Sequence, residues 1–232
     1  MRIQGREAAE LFVHNNFPKC SLAVLGGSSS RNDTNAHSDL DIVILDDTTE
    51  IAYHKTIKAY DWIIECFVLT SSSYRDIFNE GIYAANPSLQ RMLNEGHIIR
   101  CEEDGLRVIE EAQTDLDFGP MPWSLNEINL QRYVITDLLE DLRGGEPTTE
   151  LWFIVNRLVV AMCEFHLRVH QQWIGEGKHL FRALKSFDPN MAESLDSALQ
   201  AFYLRMDCDP LEALILRTLG PYGGTILDGF EQ

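Results

Sequence analysis

Three acids and a pair of glycines are the residues of this chain best suited to chemistry. Asp39 and Asp41 open the apolar run Leu40-Asp41-Ile42-Val43-Ile44-Leu45. Successive side chains of a strand point to opposite faces, so the two carboxylates share one face, about 7 Å apart. Paired carboxylates at the edge of a core are costly to keep ionised without a counter-charge. A hard divalent cation supplies it, because such ions take oxygen ligands and keep room for substrate phosphates. Upstream, Gly26, Gly27 and Ser28 offer backbone N–H groups and a hydroxyl that could hold those phosphates. Glu65 is the one charge in the apolar run Trp62–Leu69. An unpaired carboxylate is expensive there, so it marks either a site residue or a break in the strand. The pattern reads as a metal and a nucleotide phosphate held together.

These residues need a scaffold. Residues 5–15 carry a helical apolar stripe (Ala8, Ala9, Phe12, Val13), and 21–25 read as a buried strand running into Gly26-Gly27. A polar loop over 29–38 leads to the strand at 40–45, and 62–69 form a third strand. Short helical patterns follow at 74–80 and 87–94, with a further strand at 97–100. Gly119, Pro120 and Pro122 then change the texture of the chain, which sets a domain boundary dividing 1–118 from 119–232. Ser124 and Glu127 have capping-box spacing and open a helix to about residue 143. The stretch 150–173 is apolar nearly all round, as expected of the buried central helix of a bundle. A helix over 178–187 follows, and Asp188-Pro189 and Asp209-Pro210 read as matching cap-plus-proline starts for two more. The expected fold class is α+β, a small mixed-sheet domain followed by an all-helical bundle.

Composition narrows the function. The 232 residues carry a formal net charge of −17, which argues against nucleic acid as the main partner and suits a neutral or cationic one. Five scattered cysteines without a C-x-x-C pair fit a reducing compartment and argue against a disulfide framework or structural zinc. With no signal pattern and no long apolar run, a cytoplasmic protein without a membrane partner is expected. His166 and His170 stand at i, i+4, a zinc-compatible spacing, but lack the glutamate of H-E-x-x-H and any evident third ligand.

The run Gly27-Ser28-x-Ser30-x-Asn32, five residues, then Ser38-Asp39-Leu40-Asp41 resembles the signature of the DNA-polymerase-β-type nucleotidyltransferase superfamily. It is most similar to the aminoglycoside adenylyltransferases and the minimal nucleotidyltransferases, whose pattern is Gly-Ser-x-Ala-x-Gly, five residues, then Ser-Asp-x-Asp. Ser30 stands for the small Ala and Asn32 for the last Gly; Asn tolerates positive φ better than most residues. Glu65 in Ile64-Glu65-Cys66 resembles the third carboxylate strand of those enzymes. The likeness covers about residues 20–70, with a looser likeness in the helical part.

The resemblance implies a small mixed-sheet nucleotidyltransferase domain, with Asp39 and Asp41 holding Mg²⁺. It also implies that Gly27, Ser28 and Ser38 bind the nucleotide, ATP being the expected substrate. Glu65 would hold a second metal or take the proton from an attacking hydroxyl. Some relatives draw that base from the helical domain, where Asp137, Glu140 and Asp141 are the alternatives. The segment 173–184 resembles one that brings cations to the phosphates, through Lys178 and Arg182 one helical turn apart. The acceptor would bear a hydroxyl and could be an aminoglycoside. A protein hydroxyl and a non-catalytic nucleotide-binding module are the alternatives, and monomer and homodimer both stay open.

Overall fold

The computed structural model describes residues 2–27, 38–146 and 148–228. The chain divides into two compact units, Met1–Gly119 and Pro120–Gln232.

The first unit is built on a five-stranded mixed sheet. Its strands are β1 (Leu22–Leu25), β2 (Leu40–Leu45), β3 (Tyr53–Ala59), β4 (Trp62–Leu69) and β5 (His97–Cys101), in the order β3-β4-β2-β1-β5. β2 and β4 run parallel, whereas β1–β2, β1–β5 and β3–β4 are antiparallel pairs. Helix α1 (Gly5–Asn16) packs Ala8, Ala9, Phe12 and Val13 on one sheet face, against Leu40, Ile42, Ile44, Ile64, Cys66 and Val68. The other face presents Leu22, Val24, Val43, Leu45 and Leu69. It is covered by Phe78 of α2 (Tyr74–Tyr83), Leu93 of α3 (Ser88–Glu95), and Val108 and Ala112 of α4 (Glu103–Phe118). With apolar residues filling both faces of β2, its single acid is displaced to the strand's entry. Each fully buried Leu, Ile or Phe contributes about 1.5–3 kcal/mol of transfer free energy, which fixes the register.

Two elements of this unit are not evident in the sequence. Strand β3 lies in a stretch with no legible pattern because it is an exposed edge, with only Ile57 and Ala59 half-buried. Its turn into β4 is made by Tyr60 and Asp61, both at positive φ (53° and 61°), with neither Gly nor Asn to signal it. Asn15 Nδ2 donates to the Tyr60 hydroxyl at 3.0 Å, bracing the turn. Helix α4 buries only a narrow stripe, and Gly105 in its first turn lets it sit on β1. A Cβ there would meet Ser21 O at 2.7 Å and Leu22 Cβ at 2.9 Å.

The elements of the second unit, among its described residues, are all helices: α5 (Leu125–Gly144), α6 (Thr149–Val169), α7 (Lys178–Phe187), α8 (Pro189–Arg205) and α9 (Asp209–Leu219), then a 3₁₀ turn Gly220–Tyr222. Its core gathers Ile135, Leu139, Val155, Leu158, Phe165, Leu184, Leu195, Phe202 and Ile215. The capping box forms: Glu127 N–H donates to Ser124 Oγ, and Ser124 N–H to Glu127 Oε2 at 2.7 Å. The Ser124 hydroxyl, which also donates to Glu127 Oε2 at 2.7 Å, and then the Ser124 N–H hold the Glu127 carboxyl below its usual range. Two expectations are corrected here. Helix α6 is not buried all round, since Trp152 is 48% and Phe153 74% exposed near its first turn. The two Asp-Pro starts also differ. Asp188 caps α8 through Met191 N–H, whereas Asp209 is the first residue inside α9 and Cys208 takes the cap position.

Candidate active site

The parallel pairing of β2 with β4 sets Asp41 directly beside Glu65. Neighbouring strands lie about 4.8 Å apart, so two acids distant in sequence become nearest neighbours on one face. That face is the one carrying Val43 and Leu45, and Asp39 stands one residue before β2. Asp39, Asp41 and Glu65 are all half-buried, at the point where the apolar cover of α2–α4 gives out. Glu65 is therefore a strand residue, and no break in β4 explains it.

The glycine pair closes the site from β1. Gly26 N–H donates to Asp41 O at 2.8 Å, extending the ladder by one rung past β1. Gly26 itself lies under α3, where a Cβ would meet Met92 Cβ and Cγ at 2.9 Å. Gly27 turns the chain at φ +66°, and a Cβ built there would overlap Asp41 Oδ2. The backbone of Gly27 thus lies against the Asp41 carboxylate, an approach only glycine permits. Ser38 is half-buried at the other end of the loop, and its carbonyl accepts from Arg2 Nη2 at 2.8 Å. The Arg2 guanidinium lies 3.3 Å above the Trp62 ring, whose Nε1 donates to Ile3 O, so the N-terminal segment clamps the entry of β2 to that of β4. Ser28, Ser30 and Asn32 lie outside the described residues.

Two neighbours escaped the sequence reading. Arg2 is one. The other is His54 on β3, whose Nε2 lies 3.5 Å from Glu65 Oε2 and whose ring stacks on Phe67 with centroids 4.6 Å apart. The alternation His54-x-Thr56-x-Lys58 puts polar groups on one face of β3, but nothing in the sequence marks that stretch as a strand. Cys66, beside Glu65, points to the opposite face into the α1 core, and burial pushes its thiol up to about 12. It is not an available nucleophile.

The remaining candidates lie in the helical unit. Lys178 and Arg182 are exposed, one turn apart on α7. Asp137, Glu140 and Asp141 are exposed on α5, and Glu140 is held by Arg143 Nη1 at 2.6 Å, a solvated ion-paired surface. His166 and His170 meet no third ligand of a metal set. His166 Nε2 pairs with Asp188 Oδ2 at 3.1 Å, and the His170 Nδ1 donates to His166 O. Among the described residues, no three His, Cys, Asp or Glu side chains gather closely enough to hold a metal by themselves.

Mixed sheet, paired acids and close glycine together define a two-unit α+β chain with an acidic strand-end site. No protein-family model matches the chain, and neither does any curated protein. Among solved structures, the chain is similar to a nucleotidyltransferase-like protein from Exiguobacterium sibiricum 255-15. The identity is 11% and the TM-score 0.48, covering 93% of this chain and 73% of that one. No described helix is long and apolar enough to cross a membrane.

Proposed function

We propose that the chain is a Mg²⁺-dependent nucleotidyltransferase that moves a nucleoside monophosphate, AMP from ATP, to a hydroxyl of a small acceptor. The observation that carries this reading is the register of Asp41, two residues after Asp39, with Glu65 and beneath the backbone of Gly27. The donor set fits the ion: carboxylates only, with no thiolate or imidazole demanded. Mg²⁺ needs just one or two carboxylates when substrate phosphates complete its shell. Asp39 and Asp41 would hold it, and it would neutralise charge developing on the phosphates when bound.

The chain's own groups supply the rest. The Gly27 backbone and the Ser28 hydroxyl hold the terminal phosphates. The acceptor oxygen forms a bond to the α-phosphorus while the α–β bridging P–O bond breaks. Pyrophosphate departs with that electron pair, and Glu65 takes the acceptor's proton. The net charge of −17 favours a cationic acceptor, and polycationic aminoglycosides are the first to try.

The test is pyrophosphate release from ATP and Mg²⁺ against a panel of aminoglycosides, with Asp41→Asn as control. Release that depends on an acceptor and disappears in the folded variant is the expected result. Turnover retained by Asp41→Asn refutes the mechanism. Silence across the panel with ATP binding intact removes aminoglycosides as acceptors and directs the assay to protein hydroxyls.

A further inference from the structure

We propose that His54 is a positioning residue for Glu65, an assignment that rests on the nucleotidyl-transfer reading. Glu65 lies between two strands that treat it differently. On its inner side, β2 presents Asp41, another carboxylate, which repels it. On its outer side, β3 presents Thr56 opposite Glu65 and His54 opposite Phe67. Positions 54, 56 and 58 alternate onto the same face as Glu65, so the imidazole reaches the carboxylate diagonally across the pair.

Two contacts fix the imidazole. Its ring lies nearly parallel to Phe67, at 12° between planes and 4.6 Å between centroids. That stack sets the plane of the ring and turns its edge along the strand, which brings Nε2 to 3.5 Å from Glu65 Oε2. Packing does not account for a histidine here, because its side chain is 51% exposed on an edge strand with no core to fill. The contact engages Oε2 of Glu65 from the edge strand. Without it, a Glu side chain 32% exposed beside Asp41 would swing outward to relieve like-charge repulsion. Edge strand β3 therefore does more than close the sheet: it orients the third acid of the site.

His54→Phe keeps a ring to stack on Phe67 and removes the nitrogen. Orienting partners of this kind typically contribute about 10- to 100-fold to activity. His54→Phe is accordingly expected to lower kcat in that range while leaving KM for ATP and the thermal midpoint unchanged. His54→Gln, which restores an N–H near the Nε2 position, should recover most of the loss. In a Glu65→Gln background, His54→Phe should add nothing, because its effect passes through Glu65. A readout independent of turnover is the imidazole ¹H–¹³C signal of His54 in the ligand-free protein, assigned from the His54→Phe spectrum, which should move on Glu65→Gln. Wild-type kcat in His54→Phe, losses that multiply in the double variant, or an unmoved imidazole signal each overturn the assignment. A wild-type chain that transfers nothing to any acceptor overturns the underlying reading instead.

Discussion

Gly27→Ala separates the strain of a residue from the geometry of a site. At φ +66° an L-residue costs about 1–2 kcal/mol in the left-handed region. The added methyl also overlaps Asp41 Oδ2, with Asp41 Cγ only 3.4 Å away. If the carboxylate gives way by leaving its rotamer, that adds about 0.5–1.5 kcal/mol. The sum is about 1.5–3.5 kcal/mol, which at a urea slope of about 2 kcal/mol/M lowers the unfolding midpoint by about 0.8–1.8 M. Turnover should fall further than stability does, because a displacement near 1 Å at a reacting centre costs about 100-fold. Gly224→Ala is the internal control. Its φ is also positive, +71°, but a Cβ there meets nothing within 4 Å, so it carries the backbone strain alone. Urea unfolding followed by circular dichroism, with pyrophosphate release on the folded fraction, reads both effects. A folded Gly27→Ala chain with wild-type turnover refutes the claim that Gly27 sets the position of Asp41.

Three further outcomes are expected. Gly105→Ala should destabilise the first unit by about 1–3 kcal/mol, because the methyl pushes α4 off Ser21 and Leu22; an unchanged midpoint would show that the helix has room to shift. Burial, and then the nearby His170, lower the His166 pKa from its ordinary 6.5, and Asp188 only partly offsets this. The folded chain thus binds fewer protons there than the unfolded one. Stability from this group is complete above pH 6.5 and is lost as pH falls from there through the lower folded value, and His166→Gln should flatten that slope. Ellman's reagent should react first with exposed Cys101, whereas buried Cys20, Cys66 and Cys163 should wait for unfolding; Cys163 is pushed up to about 12 by burial. Prompt reaction of all three in native buffer would contradict the packing.

Legibility in the sequence followed burial. Strands β2 and β4 have continuous apolar runs because both faces are covered, and their limits match the expected 40–45 and 62–69. Helix α5 announces itself by its capping box and α7 by its apolar stripe. Strand β3 does not, since an edge that buries almost nothing needs no hydrophobic pattern, and its turn uses Tyr60-Asp61 under strain. The cost of missing β3 was His54. Asp39 and Asp41 stood out because their spacing is local. That Glu65 would lie beside Asp41 depended on which strands pair, and periodicity within each strand carries no such information.

The parallel register of β2 with β4 also bears on how the chain folds. The β3–β4 hairpin is local and can form within about 1–10 μs, but it carries Glu65 alone. Asp41 reaches Glu65 only when the finished hairpin docks its inner edge on β2, a non-local step that must first pay loop-closure entropy. A chain stalled before that docking keeps Asp39 and Asp41 together at the entry of β2 but lacks Glu65 beside them. On the proposed function, the third acid is therefore the late arrival, and partly folded molecules should fail at transfer even where they still hold nucleotide.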